Sequence, residues 1–101
     1  MKRAPTKRDA NHVELTDLFE QLGCSVQDLS HAGVSGWPDV VVGCMGANHL
    51  VEFKNPETRY GRAGLNRNQR EFAQRWRGGT LYAVSTGDEV IALVQNWRRP
   101  A

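Results

Sequence analysis

Two short apolar runs with an acid at matching ends constrain this chain more than any other feature. The first reads Pro38-Asp39-Val40-Val41-Val42-Gly43 and the second Leu50-Val51-Glu52-Phe53-Lys54, with Asp39 and Glu52 thirteen positions apart. Between them, Gly43-Cys44-Met45-Gly46-Ala47-Asn48 is rich in small residues. Such a linker lets two strands, about 39–42 and 49–54, turn back on one another. Side chains alternate faces along a strand, so Leu50, Glu52 and Lys54 share one face while Val51 and Phe53 take the other. Pairing then draws the Asp39 carboxylate toward Glu52, with the Lys54 ammonium at the same sheet end. Hard dications such as Mg²⁺ favour oxygen donors of this kind, and a dication held there activates water.

Around this hairpin the chain reads as alternating elements. Leu15, Leu18, Phe19 and Leu22 recur at helical spacing and predict an amphipathic helix ending at Gly23. Residues 25–29 predict a short strand and 31–37 a loop. Asn55-Pro56 stops the second hairpin strand, and 55–64 reads as a mobile loop carrying Arg59, Tyr60 and Arg62. A helix over 67–77 shows Phe72, Ala73 and Trp76 on one stripe, and Gln69 extends that stripe one turn back, so its amide points inward. Thr80-Leu81-Tyr82-Ala83-Val84 has strong strand formers. Thr86-x-x-Glu89 is a capping box that opens a last helix with Val90, Leu93, Val94 and Trp97 on one face.

The Pro38-Asp39…Glu52-Phe53-Lys54 string resembles the PD-(D/E)xK nuclease signature. Its context, Gly36-Trp37 before the first strand and Gly61-Arg62…Leu65-Asn66-Arg67-Asn68-Gln69 after the second, looks like the VRR-NUC branch of that superfamily. The likeness runs from about Glu14 to Trp97. One departure is Asn66, where serine or threonine is more usual, and asparagine caps a helix equally well. The resemblance implies an α/β fold: a restriction-endonuclease-like core in the order α-β-β-β-α-β-α, with a mixed central sheet flanked by helices.

It also implies roles. Asp39 and Glu52 would ligate Mg²⁺ or Mn²⁺, the backbone carbonyl of Phe53 would complete the protein ligands, and Glu14 matches a helix glutamate that many members use as an additional acid. Lys54 would orient or help deprotonate the attacking water, and Gln69 matches a glutamine at the active site. Each has an ordinary alternative: Asp39 a turn acid, Glu52 and Lys54 a surface ion pair, Glu14 a solvated helix acid, Gln69 a core amide. The joint pattern favours the catalytic reading. His12 and His31 read as ordinary surface or loop residues. Trp37 is expected to pack under its loop, with stacking on an unpaired base as the alternative.

At 101 residues the chain makes one domain, read as a basic flexible arm over 1–9 and a nuclease-like domain over 10–99. No apolar run approaches a membrane span, and the N-terminus lacks an apolar signal core. Cys24 and Cys44 lack metal-ligand spacing and read as buried reduced thiols of a cytoplasmic protein. Net charge is only +2, yet no Lys or Arg occurs between Asp9 and Phe53, whereas seven lie between Lys54 and Arg77. Arg59, Arg62, Arg67 and Arg70 are therefore the candidate phosphate contacts. Taken together, the sequence points to a metal-dependent DNA endonuclease. The resemblance implies structured or branched DNA and a bacterial cell as the setting, with a phage or bacterial gene, and a domain this small with one site is expected to form a homodimer to address two strands. A catalytically silent nucleic-acid-binding module on the same fold is the rival reading, and a structural protein without nucleic acid the third.

Overall fold

The computed structural model describes residues 7–100. Helix α1 (Lys7–Gln21) leads into strands β1 (Ser25–Asp28), β2 (Val40–Cys44) and β3 (Ala47–Phe53). A helical turn α2 (Arg59–Arg62), helix α3 (Arg67–Arg75), strand β4 (Leu81–Val84) and helix α4 (Gly87–Arg98) follow. The sheet runs β1-β2-β3-β4; its first two pairings are antiparallel, and β3–β4 is parallel. This is the expected mixed sheet and the expected α-β-β-β-α-β-α order, with α2 as an added turn. No helix among the described residues is long and apolar enough to cross a membrane.

One sheet face carries the main core. Val40, Val42, Val51, Phe53 and Val84 meet Leu15 and Phe19 of α1 and Val90 and Val94 of α4. Each fully buried apolar side chain contributes about 1.5–3 kcal/mol, so these two helices anchor the sheet. The opposite face carries Glu52, and α3 covers that end with Phe72, which is fully buried. Trp37 packs edge-on against Phe72 at 5.0 Å and Trp76 at 5.6 Å, as expected of a residue under its loop.

Several boundaries differ from the sequence reading. The β2–β3 turn is the two-residue Met45-Gly46, both with positive φ (53° and 78°), so both strands run further than the small residues suggested. The predicted start of the domain at residue 10 falls inside α1, whose first residues are Lys7, Arg8 and Asp9, and the rest of the predicted arm lies outside the described residues. The segment read as a mobile loop is held by hydrogen bonds. Asn55 Oδ1 accepts from Glu57 N, and Thr58 Oγ1 accepts from Gly61 N. Gly61 is required there, because a Cβ would come within 1.9 Å of the Asn55 carbonyl oxygen. Helix α3 stops at Arg75, with Trp76 as its cap, and Ala73 faces solvent rather than the core.

Candidate active site

Register brings the acids together. Val40 pairs with Val51, so one step along the same ladder Asp39 faces Glu52. Asp39 Oδ2 accepts the Phe53 backbone N–H at 2.8 Å, which fastens the base of the hairpin. Glu52 is 2% exposed, Lys54 4%, Gln69 7% and Asp39 9%. Groups this buried are stable only in a satisfied network.

Gln69 supplies much of that network. Its Nε2 donates to Glu52 Oε2 at 2.6 Å, and its Oε1 accepts from Lys54 Nζ at 2.8 Å. Lys54 Nζ also lies 3.6 Å from Glu52 Oε2. The same Oε1 accepts the Asn66 backbone N–H at 2.9 Å, while Asn66 Oδ1 accepts from Gln69 N at 2.9 Å. Gln69 is thus the third residue of a capping box at the start of α3. The helix start and the cluster are built from one side chain.

Asp39, Glu52 and Gln69 open into a cleft of about 460 Å³, whose lining does not include Lys54. Asp39, Glu52 and Gln69 form one side, and the loop after β1, including Ser30, Val34 and Gly36, forms the other. That loop is docked on α3: Asn68 Nδ2 donates to Ser35 Oγ at 2.6 Å. A Cβ on Gly36 (φ 79°) would come within 2.4 Å of the Asn68 carbonyl oxygen. The sequence carried no signal for this wall, because serines and glycines between strands read as any loop. The Asn66-x-x-Gln69 spacing was the visible trace of the second capping box.

The remaining candidates lie elsewhere. Glu14 is exposed on α1 and lines a separate cleft with Asn11, Asn55 and Glu57, so the structure does not bring it to Asp39 and Glu52. The helix phase put it at the edge of the stripe but could not say over which cleft. Asn11, which the sequence did not single out, reaches the site's backbone by donating from Nδ2 to the Lys54 carbonyl at 3.2 Å. His12 packs edge-on to Phe53 at 4.8 Å, and His31 is exposed. Arg59, Arg62, Arg67 and Arg70 are exposed around α2 and the first turn of α3, outside the cleft lining. Arg62 donates to the Pro56 carbonyl, Arg70 to the Leu65 carbonyl, and Arg67 pairs with Glu71 on the surface.

Among the described residues no three His, Cys, Asp or Glu side chains gather into a metal-binding group. Two carboxylates with the following backbone carbonyl of Phe53 do not make a cage for zinc. They suit Mg²⁺ or Mn²⁺, which keep several waters and share coordination with a phosphate.

No family model and no curated protein matches the chain. A solved structure described as a VRR_NUC domain does match. It has a TM-score of 0.62 and 27% sequence identity over 92% of this chain and 99% of that one. The element order and this likeness support a VRR-NUC domain, a nuclease-type domain, and Asp39, Glu52 and Gln69 converge within it.

Proposed function

We propose that this domain is a Mg²⁺- or Mn²⁺-dependent endonuclease that hydrolyses phosphodiester bonds in structured or branched DNA. The observation that carries the reading is the buried Glu52–Gln69–Lys54 cluster beside Asp39, with Asp39, Glu52 and Gln69 lining one cleft and Lys54 bonded to Gln69. Burying two acids and an ammonium at a sheet end is costly, and a hydrophobic replacement is often as stable or more so. A catalytic role accounts for that arrangement.

Asp39 and Glu52 would hold the ion, with the Phe53 carbonyl. Once bound, the ion supplies charge stabilisation at the phosphate and a more acidic water. Gln69 keeps Glu52 and Lys54 in fixed relation through its two amide ends. Lys54 holds a positive charge where a phosphate oxygen gains negative charge, and it can orient the attacking water. The exposed arginines of α2 and α3 supply phosphate contacts. A chain with one such cleft cuts one strand, which favours a homodimer on a duplex or a junction.

The test is cleavage of supercoiled plasmid and of duplex, flap and four-way-junction DNA with Mg²⁺ or Mn²⁺. Asp39→Asn and Glu52→Gln should each abolish metal-dependent cleavage with far-UV circular dichroism unchanged. Wild-type activity in either variant sinks the assignment. Equal cutting of all DNA forms would remove the structured-DNA part and leave the nuclease.

A further inference from the structure

A second cleft, of about 520 Å³, lies at the other end of α3. It exists because β4 begins at Leu81, opposite Leu50, which leaves the earlier residues of β3 without a β4 neighbour. Gly79 and Thr80 approach there instead, and Trp76, His49, Leu50 and Tyr82 complete the walls.

The aromatic walls are fixed. Trp76 is 38% exposed, yet its ring stacks on Phe72 at 5.2 Å and meets Trp37 edge-on. Gly78 lies so close that a Cβ there would sit 2.6 Å from the Trp76 indole nitrogen. Across the cleft His49 stacks on Trp97 at 3.8 Å, and Tyr82 meets Trp97 edge-on at 5.5 Å. Burial holds His49 toward its neutral form, so the wall is aromatic rather than cationic. Arg75 and Arg77, next to Trp76 in the chain, are exposed, with the Arg75 guanidinium 5.1 Å from the Phe72 ring that Trp76 stacks on. Preformed aromatic walls with arginines adjacent in the chain suit a flat π-system attached to a phosphate.

We propose that this cleft receives an unpaired nucleobase of the DNA that is cut at the Asp39–Glu52 cleft. The inference rests on the nuclease reading and adds a substrate class: DNA with a single-stranded or unstacked segment beside the cut. Seven residues of α3 and its cap separate Gln69 from Trp76, which is roughly 10 Å at the helical rise. That span corresponds to about three nucleotides along one strand.

Binding of the full chain to a labelled single-stranded oligonucleotide and to the same sequence as a duplex, both in EDTA, tests the proposal. Trp76→Ala should weaken single-strand binding by about tenfold and leave duplex binding within about twofold. Gly79→Leu should do the same, because it adds bulk at a residue of the cleft wall. Its Cβ points into open space, so the core packing is left intact. A single abasic position in the oligonucleotide should reproduce the loss and add nothing further in Trp76→Ala. Unchanged single-strand affinity in Gly79→Leu overturns the proposal, as does an equal loss on duplex. Sedimentation in which Gly79→Leu splits a wild-type dimer overturns it too, by giving the cleft to a second copy of the chain. Failure of the nuclease reading is seen separately: Asp39→Asn would still cut in Mn²⁺, whatever the binding data in EDTA.

Discussion

The Gln69 amide is oriented by three partners, two N–H groups on Oε1 and the Glu52 carboxylate on Nε2. Gln69→Glu would put an oxygen where the N–H now meets Glu52 at 2.6 Å. Two carboxylates that close share a proton, so Glu52 is no longer fully ionised and is a poorer cation ligand. Cleavage should drop about a hundredfold, measured as plasmid nicking in Mn²⁺, and recover partly as pH rises. Gln69→Ala instead removes the clamp and the side-chain half of the capping box together, while the backbone N–H of residue 69 still meets Asn66 Oδ1, for a loss of about 2–4 kcal/mol by urea denaturation. If Gln69→Ala keeps wild-type stability, the capping box is not holding α3. At this scale the sequence was informative where alternation and spacing act locally: Asp39, Glu52, Lys54 and the inward Gln69 were all legible. Glu14 was not, because helical phase fixes a direction around the axis and not the cleft it meets. The Ser35–Asn68 contact joins residues 33 positions apart and left no pattern to read.

Helix α3 is held at its start by polar contacts and along its length by Phe72, which makes the loop after β1 its brace. Gly36 is the hinge of that brace. Its left-handed φ of 79° disfavours a side chain, and the nearby Asn68 carbonyl leaves no room for one. Gly36→Ala should therefore cost about 1–3 kcal/mol and lower cleavage more than the stability loss explains, because the displaced helix carries Gln69. Thermal melts beside turnover at 20 °C separate the two effects. Equal stability and activity in the variant would mean that the loop does not brace the site. Elements with strong periodicity, α1 and α4, were legible in the sequence, as was the hairpin. Their ends were not. The Met45-Gly46 turn is set by positive φ at two residues, and methionine gives no hint of that conformation. Trp76 fell out of its predicted helix because it caps the end and turns toward Trp37.

For the whole molecule, half-buried His49 and buried Cys24 set pH limits on the fold. Burial lowers the His49 pKa from its usual 6.5. The unfolded chain then takes the proton first, so stability is complete above that value and falls as pH drops below it. Cys24 is pushed from 9.0 to about 11, by burial first and by a hydrogen bond with Cys44 second. Its contribution is complete below pH 9 and disappears as pH rises through 11. Urea midpoints across pH 5–7 for His49→Gln should lose the acid slope; an unchanged slope would place the sensitivity in another group. Charge acts at the same scale. Among the described residues Arg67 pairs with exposed Glu71, so Arg67→Ala should lower DNA affinity and reduce the salt slope by about 0.9 with stability unchanged. Arg70 also holds the Leu65 carbonyl, at 2.7 Å, so Arg70→Ala should lower the melting temperature as well. Matching melts for the two variants would show that this carbonyl contact adds nothing. The charge asymmetry behind these predictions was visible in the sequence; which arginines also support the backbone was not.

The hydrogen bond from Phe53 N–H to Asp39 Oδ2 makes the chain its own spectroscopic probe. An amide proton donated to a carboxylate shifts in an NMR spectrum when that carboxylate gains a proton or engages a cation. The Phe53 cross-peak should therefore move on titration with Mg²⁺. In Asp39→Asn the same peak should start from a shifted position, because the charge is gone, and stop responding to the ion, giving a readout of occupancy that needs neither DNA nor turnover.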